Sequence, residues 1–330
     1  MTVPTPLSIL DLATVARDST PAEAFEASVA LARAAERHGY ARVWYAEHHN
    51  MPSIASSATA VLIAHIANHT STIRLGSGGV MLPNHPPLVI AEQFGTLATL
   101  HPDRIDLGIG RAPGTDMQTV RALRRDAGAA HSFPGDVREL QAFLDTDVDG
   151  VRAIPGTGTK VPIYVLGSST YGAQLAAEFG LPYAFASHFA PAALQQAVAL
   201  YRAEFQPSEQ LAEPYVIAGA NVIACDTDEE AADWFRIVRR SRARRFLGRS
   251  GLGDLSDEQV DTLLETPQGQ QVAQMLHYSA VGSPETVAAW MGEFVTHSGA
   301  DEVITVHSVP GLEARLRSVE LLAQAWGLGA

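Results

Sequence analysis

Short runs of Val, Ile and Leu alternate along the chain with longer stretches in which apolar residues recur every three to four positions. The short runs predict strands, and their nearly continuous apolar character suits strands buried on both faces. They fall at Leu7–Leu12, Arg42–Ala46, Ile73–Gly78, Arg104–Gly110, Ile163–Leu166, Tyr183–Ala186, Val216–Ala224 and Glu302–His307. The longer stretches predict helices at Pro21–His38, Ser57–Asn68, Leu88–Leu100, Tyr171–Phe179, Pro191–Phe205, Asp228–Phe246, Pro284–His297 and Leu312–Trp326. In the first of these, Phe25, Val29, Ala32 and Ala35 fall on one stripe. Helix starts are marked by Ser19-Thr20-Pro21 and Ser283-Pro284-Glu285, and stops by Gly39, Gly180 and Gly299.

Eight strand–helix units in alternation predict an α/β fold, a closed (β/α)8 TIM barrel. Right-handed crossovers cover the outside of a parallel sheet, and closure removes its edges. A doubly wound open sheet is the alternative. Its glycine fingerprint should follow the first strand, where Asp11-Leu12-Ala13-Thr14 stands instead. Two connections exceed ordinary barrel loops and read as insertions after strands 4 and 7. Arg111–Pro162 carries helical pieces near Thr115–Ala129 and Asp136–Leu144; Arg249–Ser279 is rich in Gly, Asp and Gln. Connections of that length are expected to be lids or mobile segments.

Composition narrows the partners. The 330 residues are read as a single barrel domain spanning 1–330, and 46% hydrophobic residues suffice for its core. A net charge of −13 argues against nucleic acid and anionic membranes. Charged Asp11, Arg17 and Asp18 interrupt any N-terminal signal pattern, and no apolar run is long enough to span a bilayer. Cys225 is the only cysteine, which excludes an intramolecular disulfide and a cysteine zinc site and makes a cytoplasmic location the expectation.

In a (β/α)8 barrel, chemistry gathers at the C-terminal ends of the strands. Strand two runs into Glu47-His48-His49-Asn50, strand three into Gly78-Gly79 with His85 beyond, and strand four into Gly110-Arg111. Strand five ends in Gly167-Ser168-Ser169-Thr170, strand six in Ser187-His188-Phe189, and the last in His307-Ser308. A histidine after strand two suits a general acid or base near neutral pH; the bland reading is a wall residue. Gly78-Gly79 is either a tight turn or a place where a planar ring presses on the backbone. Arg111 and the Ser168-Ser169 turn, at a helix N-terminus, suit a shared phosphate. The His-x-His spacing of barrel metallohydrolases is absent, so no metal is expected.

These motifs together resemble the bacterial luciferase-like flavin monooxygenases. The resemblance rests on Glu47-His48-His49-Asn50, on the Arg74–Pro83 and Asp103–Arg111 segments, and on Asp301-Glu302-Val303-Ile304. It implies reduced FMN and O2, with a C4a-(hydro)peroxyflavin oxidising a small, largely apolar substrate such as an aldehyde or ketone. It also implies a separate flavin reductase and a homodimer. By motif, His48 matches the catalytic histidine and Gly78-Gly79 the site of a non-prolyl cis peptide under the isoalloxazine ring. Arg111 matches the arginine on the FMN phosphate, and Ser168-Ser169 the phosphate loop. His49, His188, Phe189 and His307 are expected in the substrate pocket. Gly110 and Ser168 stand where luciferase α subunits have a reactive cysteine and an acidic residue, which argues against light emission. The alternatives are a deazaflavin (F420)-dependent dehydrogenase, a barrel metallohydrolase and a non-catalytic flavin-binding protein.

Overall fold

Nine parallel strands and twelve helices alternate in a computed structural model describing residues 4–16, 18–112, 116–125, 128–247 and 255–329. Strands β1 (Leu7–Asp11), β2 (Arg42–Tyr45), β3 (Arg74–Met81) and β4 (Ile105–Gly110) are separated by α1 (Pro21–Arg37), α2 (Thr59–Ala67) and α3 (Pro87–Leu100). Helices α4 (Met117–Ala122) and α5 (Phe133–Asp145) occupy the first insertion. Then come β5 (Ile163–Gly167), α6 (Thr170–Phe179), β6 (Tyr183–Phe185), α7 (Leu194–Glu204) and β7 (Val216–Ala224). The second insertion holds α8 (Asp228–Leu247), α9 (Asp257–Leu264) and α10 (Pro267–Met275) and ends in β8 (Ser279–Gly282). The chain finishes with α11 (Pro284–Ser298), β9 (Glu302–His307) and α12 (Leu312–Trp326).

The strands pair in the order β6-β5-β4-β3-β2-β1-β9-β7, and a β6–β7 pairing closes the ring, so eight strands form the (β/α)8 TIM barrel. The ninth, β8, was not expected from the sequence. It pairs with Asn221–Ala224 at the upper end of β7, whereas β6 pairs with Val216–Ala218 at the lower end. The caps behave as their residues require. Thr20 forms a capping box with Glu23, Ser283 caps α11, and Gly180 and Gly299 end their helices in the left-handed conformation.

Alternation along the strands sets two cores. Leu10, Trp44, Ala46, Tyr164, Ala184, Ile217, Ile304 and Val306 fill the inside, while the larger cluster packs strands against helices. Below the apolar layer lies an ionic one. Buried Arg42 donates to Glu302 (3.0 Å), Asp106 (2.7 Å) and the Tyr164 hydroxyl (2.8 Å), joining β2, β4, β5 and β9.

Strand β3 runs through its glycines to Met81, rather than ending at them. The β3–β4 register shifts between Ser77 and Val80, so that Gly78 and Gly79 together oppose Gly108. The Gly78–Gly79 peptide is cis. A Cβ on Gly78 would lie 2.6 Å from Leu10 Cδ1 and 2.9 Å from Trp44 Cβ; one on Gly79 would lie 2.8 Å from the Gly108 carbonyl oxygen. The missing Cβ atoms therefore make room first for the barrel's own side chains and backbone.

Candidate active site

The upper rim is organised around Glu47, just beyond β2. Its carboxylate is 1% exposed. Oε1 is 2.8 Å from both His49 Nε2 and His85 Nε2, and Oε2 accepts from the Met81 N–H at 3.1 Å. Burial alone would raise the Glu47 pKa, but the hydrogen bonds from His49 and His85 and the Met81 N–H outweigh it and hold it below its usual value. The same carboxylate raises the pKa of His49. The three side chains also have the ligand types and proximity of a metal site, with ligand atoms within 4.8 Å of one another. Hydrogen bonds from both rings to Glu47 Oε1 link the three side chains into one cluster. His48, half-buried, is sequence-adjacent to this cluster on both sides. Asn50 donates to Asp116 at 2.8 Å, which ties the β2 loop to the start of α4 in the first insertion.

A second group forms where β4 and β5 end. Arg111 is exposed, and its guanidinium carbon lies 4.1 Å from the ring centroid of Tyr171 in the first turn of α6. It forms no ion pair among the described residues. Ser169 is the N-cap of α6, yet no side chain caps the helix, so its first N–H groups lack side-chain acceptors. Ser168 and Ser169 are exposed, and the Ser169 carbonyl accepts from the Tyr183 hydroxyl at 2.9 Å, which fixes the turn. A cation, free N–H groups and two hydroxyls thus converge on one turn.

The third group lies at β6. The His188 ring rests on β7: a Cβ on Gly219 would lie 2.4 Å from His188 Nδ1. That nitrogen is buried without a hydrogen bond, while the His188 carbonyl accepts from Asn221 at 2.7 Å. Burial, helped by nearby Arg242, pushes the His188 pKa down to about 3, so the ring is neutral at physiological pH. Phe189 packs edge-on against it at 5.2 Å and is 39% exposed.

The sequence matches a family model described as luciferase-like monooxygenase over residues 5–302. The chain belongs to that family. With the family comes the enzyme class, a flavin-dependent monooxygenase. A luciferase-like monooxygenase of Escherichia coli (strain K12) is 47% identical over 317 residues, 95% of each chain. The crystal structure of apo-MsnO8 superposes with a TM-score of 0.87 at 36% identity, covering 98% of this chain and 99% of the other. An N-acetyl-S-alkylcysteine monooxygenase of Bacillus subtilis (strain 168) is 40% identical over 187 residues, 54% of this chain and 56% of that protein.

Of the residues this family implies, Gly78 and Gly79 lie inside β3, before its last two residues, while His48, Arg111, Ser168, Ser169, His188 and Phe189 lie just beyond the C-terminal strand ends. His49 does too, but its ring is engaged with Glu47. His307 is the expectation the structure overturns. Ile304 and Val306 point into the barrel, so His307 points out and is 2% exposed. Its Nδ1 meets Ser318 Oγ at 2.9 Å and its Nε2 meets Thr305 Oγ1 at 3.2 Å, placing it between β9 and α12 and outside the substrate pocket. Sequence reasoning gave no role to Glu47, His85, Tyr171 or Arg242. Glu47 and His49, two residues apart beyond a strand, carried a readable signal of a shared face; Arg242 in an arginine-rich helix carried none.

Proposed function

We propose that this flavin-dependent monooxygenase binds reduced FMN across the barrel mouth and oxidises a small, largely apolar organic substrate such as an aldehyde or ketone. The observation that carries the FMN reading is the turn between β5 and α6. Arg111, stacked on Tyr171, and the uncapped N-terminus of α6 offer a dianionic phosphate a cation and oriented N–H groups, with Ser168 and Ser169 beside them. Gly78 and Gly79, backed by Leu10 and Trp44, would present a flat backbone surface to the flavin ring. When bound, the reduced flavin supplies the activation of O2. His48 holds or moves a proton at the reacting end, and the Glu47 cluster fixes the loop that carries it. His188 and Phe189 form an apolar wall for the substrate, helping to exclude water. A separate flavin reductase delivers the electrons, and the enzyme works as a cytoplasmic homodimer.

Titration with FMN, riboflavin and F420 tests the cofactor. FMN should bind at least about tenfold more tightly than riboflavin, because riboflavin lacks the phosphate that would make the charge-assisted contacts. Arg111→Ala should weaken FMN by about that factor and leave riboflavin unchanged. Equal affinities in the wild type would refute the phosphate site, and a preference for F420 would move the chain to hydride transfer. Oxygen uptake with a free flavin reductase, screened across aldehydes and ketones, separates an enzyme from a flavin store.

A further inference from the structure

Strands β4 and β5 are neighbours in the ring, with Gly110 opposite Leu166. Arg111 follows the first strand, and the second turns through Ser168 and Ser169 into α6. The strand pairing therefore brings the residue after β4 to the first turn of α6, where Tyr171 meets it. The Arg111 guanidinium carbon stands over the Tyr171 ring, 4.1 Å from its centroid. This is the closest of four arginine–aromatic stacks among the described residues; the others lie at 4.7, 5.2 and 5.7 Å. The partners differ in how they are held. Arg111 is exposed, whereas Tyr171 is half-buried and packs against the larger core.

An arginine at the surface samples many rotamers, and a ligand that fixes it must offset the lost entropy. A ring held by the core attracts the guanidinium to its electron-rich face and restricts it beforehand. Stacking occupies a face of the guanidinium. The N–H groups lie in its plane and stay directed outward, along the edges that can take two phosphate oxygens. Helix α6 thus carries both the uncapped N–H groups of the phosphate site and the ring that sets the cation beside them.

We infer that Tyr171 is a positioning residue for the cofactor: its ring holds Arg111 beside the N-terminus of α6, so that cation and helix act on one phosphate. This rests on the FMN reading and adds the residue that assembles its phosphate site.

Fluorescence titration of FMN and riboflavin against Tyr171 variants tests it. Tyr171→Leu removes the ring face and keeps an apolar side chain. It should weaken FMN about two- to fivefold, the worth of an exposed cation–π contact, and leave riboflavin unchanged. Tyr171→Phe keeps the face and should stay within about 1.5-fold of the wild type. In an Arg111→Ala background, Tyr171→Leu should change FMN affinity by less than about 1.5-fold, because the ring then has no cation to hold. Circular dichroism confirms that each variant is folded, and Tyr171→Met replaces the Leu variant should that one not fold. Wild-type FMN affinity in Tyr171→Leu, an equal loss in Tyr171→Phe, an equal loss of riboflavin, or the same loss in both backgrounds would overturn the assignment. The wild-type ratio of FMN to riboflavin affinity judges the phosphate site separately. Equal affinities would refute that site and the positioning role with it; an intact ratio with an indifferent Tyr171 would overturn the positioning role alone.

Discussion

Replacing Glu47 by Gln keeps the shape of the rim's central side chain and removes its charge. The carboxylate takes both histidine rings on Oε1 and the Met81 N–H on Oε2. An amide has one acceptor oxygen. If it faces the histidines, its NH2 meets the Met81 N–H; if it turns over, the NH2 faces the rings. In the first orientation the Met81 N–H loses its partner; in the second the rings must switch to the tautomer that accepts at Nε2; and in both the bonds lose charge assistance, at a cost of about 2–4 kcal/mol. A chain of 330 residues has an unfolding entropy of about 0.7 kcal/mol/K near its midpoint, so about 3 kcal/mol lowers Tm by about 4 °C. The deficit depends on pH in a defined direction. The lowered pKa of Glu47 stabilises the wild type above the usual 4.5 and is lost as acid titrates the carboxylate. The raised pKa of His49 stabilises it below the usual 6.5 and is lost as pH climbs through the raised value. The deficit of Glu47→Gln should therefore peak between these limits. Calorimetric melts at pH 5.5 and 8.5 should show the larger drop at 5.5. A variant within about 1 °C of wild type at pH 5.5, or a deficit that grows with pH, would refute the pairing of Glu47 with His49.

Other perturbations follow from the same packing and charge arrangement. Arg42→Met should destabilise by about 3–5 kcal/mol in urea titrations, because it strips the buried Glu302 of its cation. Gly108→Ala should cost about 1–3 kcal/mol, since its methyl would lie 2.2 Å from the Ser77 carbonyl oxygen; Gly110→Ala, with its nearest neighbour at 3.6 Å, should melt like the wild type. Burial first, and Arg315 second, pushes the His307 pKa down to about 3. The unfolded chain therefore takes up a proton below pH 6.5 that the folded one refuses, and stability falls by about 1.4 kcal/mol per pH unit. His307→Gln should lose less stability than the wild type, by about 2 kcal/mol, when melts at pH 7.5 and 5 are compared. Metal analysis of the purified protein should find none bound stoichiometrically at Glu47, His49 and His85.

The eight barrel strands were legible because each is an apolar run of the right length bounded by turn residues or helix caps. β8 was not, since Ser279-Ala280-Val281-Gly282 is short and its pairing is fixed by β7, distant in sequence. Helices α9 and α10 carry readable starts, a Ser256–Gln259 capping box and Thr266 before Pro267, but their apolar stripes are too brief to stand out. At the rim, local motifs located Arg111 and the Ser168-Ser169 turn, because a strand end or a helix start is a local property. His307 was misplaced although strand parity was available, as Ile304 and Val306 could only face the barrel. The Glu47–His85 contact joins separate strand ends, and the electrostatic influence of Arg242 on His188 comes from a helix far along the chain. No spacing rule encodes either.

The exchange of partners along β7, from β6 below to β8 above, has a consequence for how this architecture can vary. The segment holding α8, α9 and α10 leaves from the top of β7 and returns through a strand hydrogen-bonded to β7 itself, with Asn221 opposite Ser279 and Ala224 opposite Gly282. Its two ends are thus stapled side by side by the sheet. The entropy of closing such a loop grows only slowly with length, by about 0.6 kcal/mol per doubling. The segment can be lengthened, shortened or exchanged while the ring of eight strands keeps its pairings. That makes it a cassette: a removable part that can change without renegotiating the barrel beneath it.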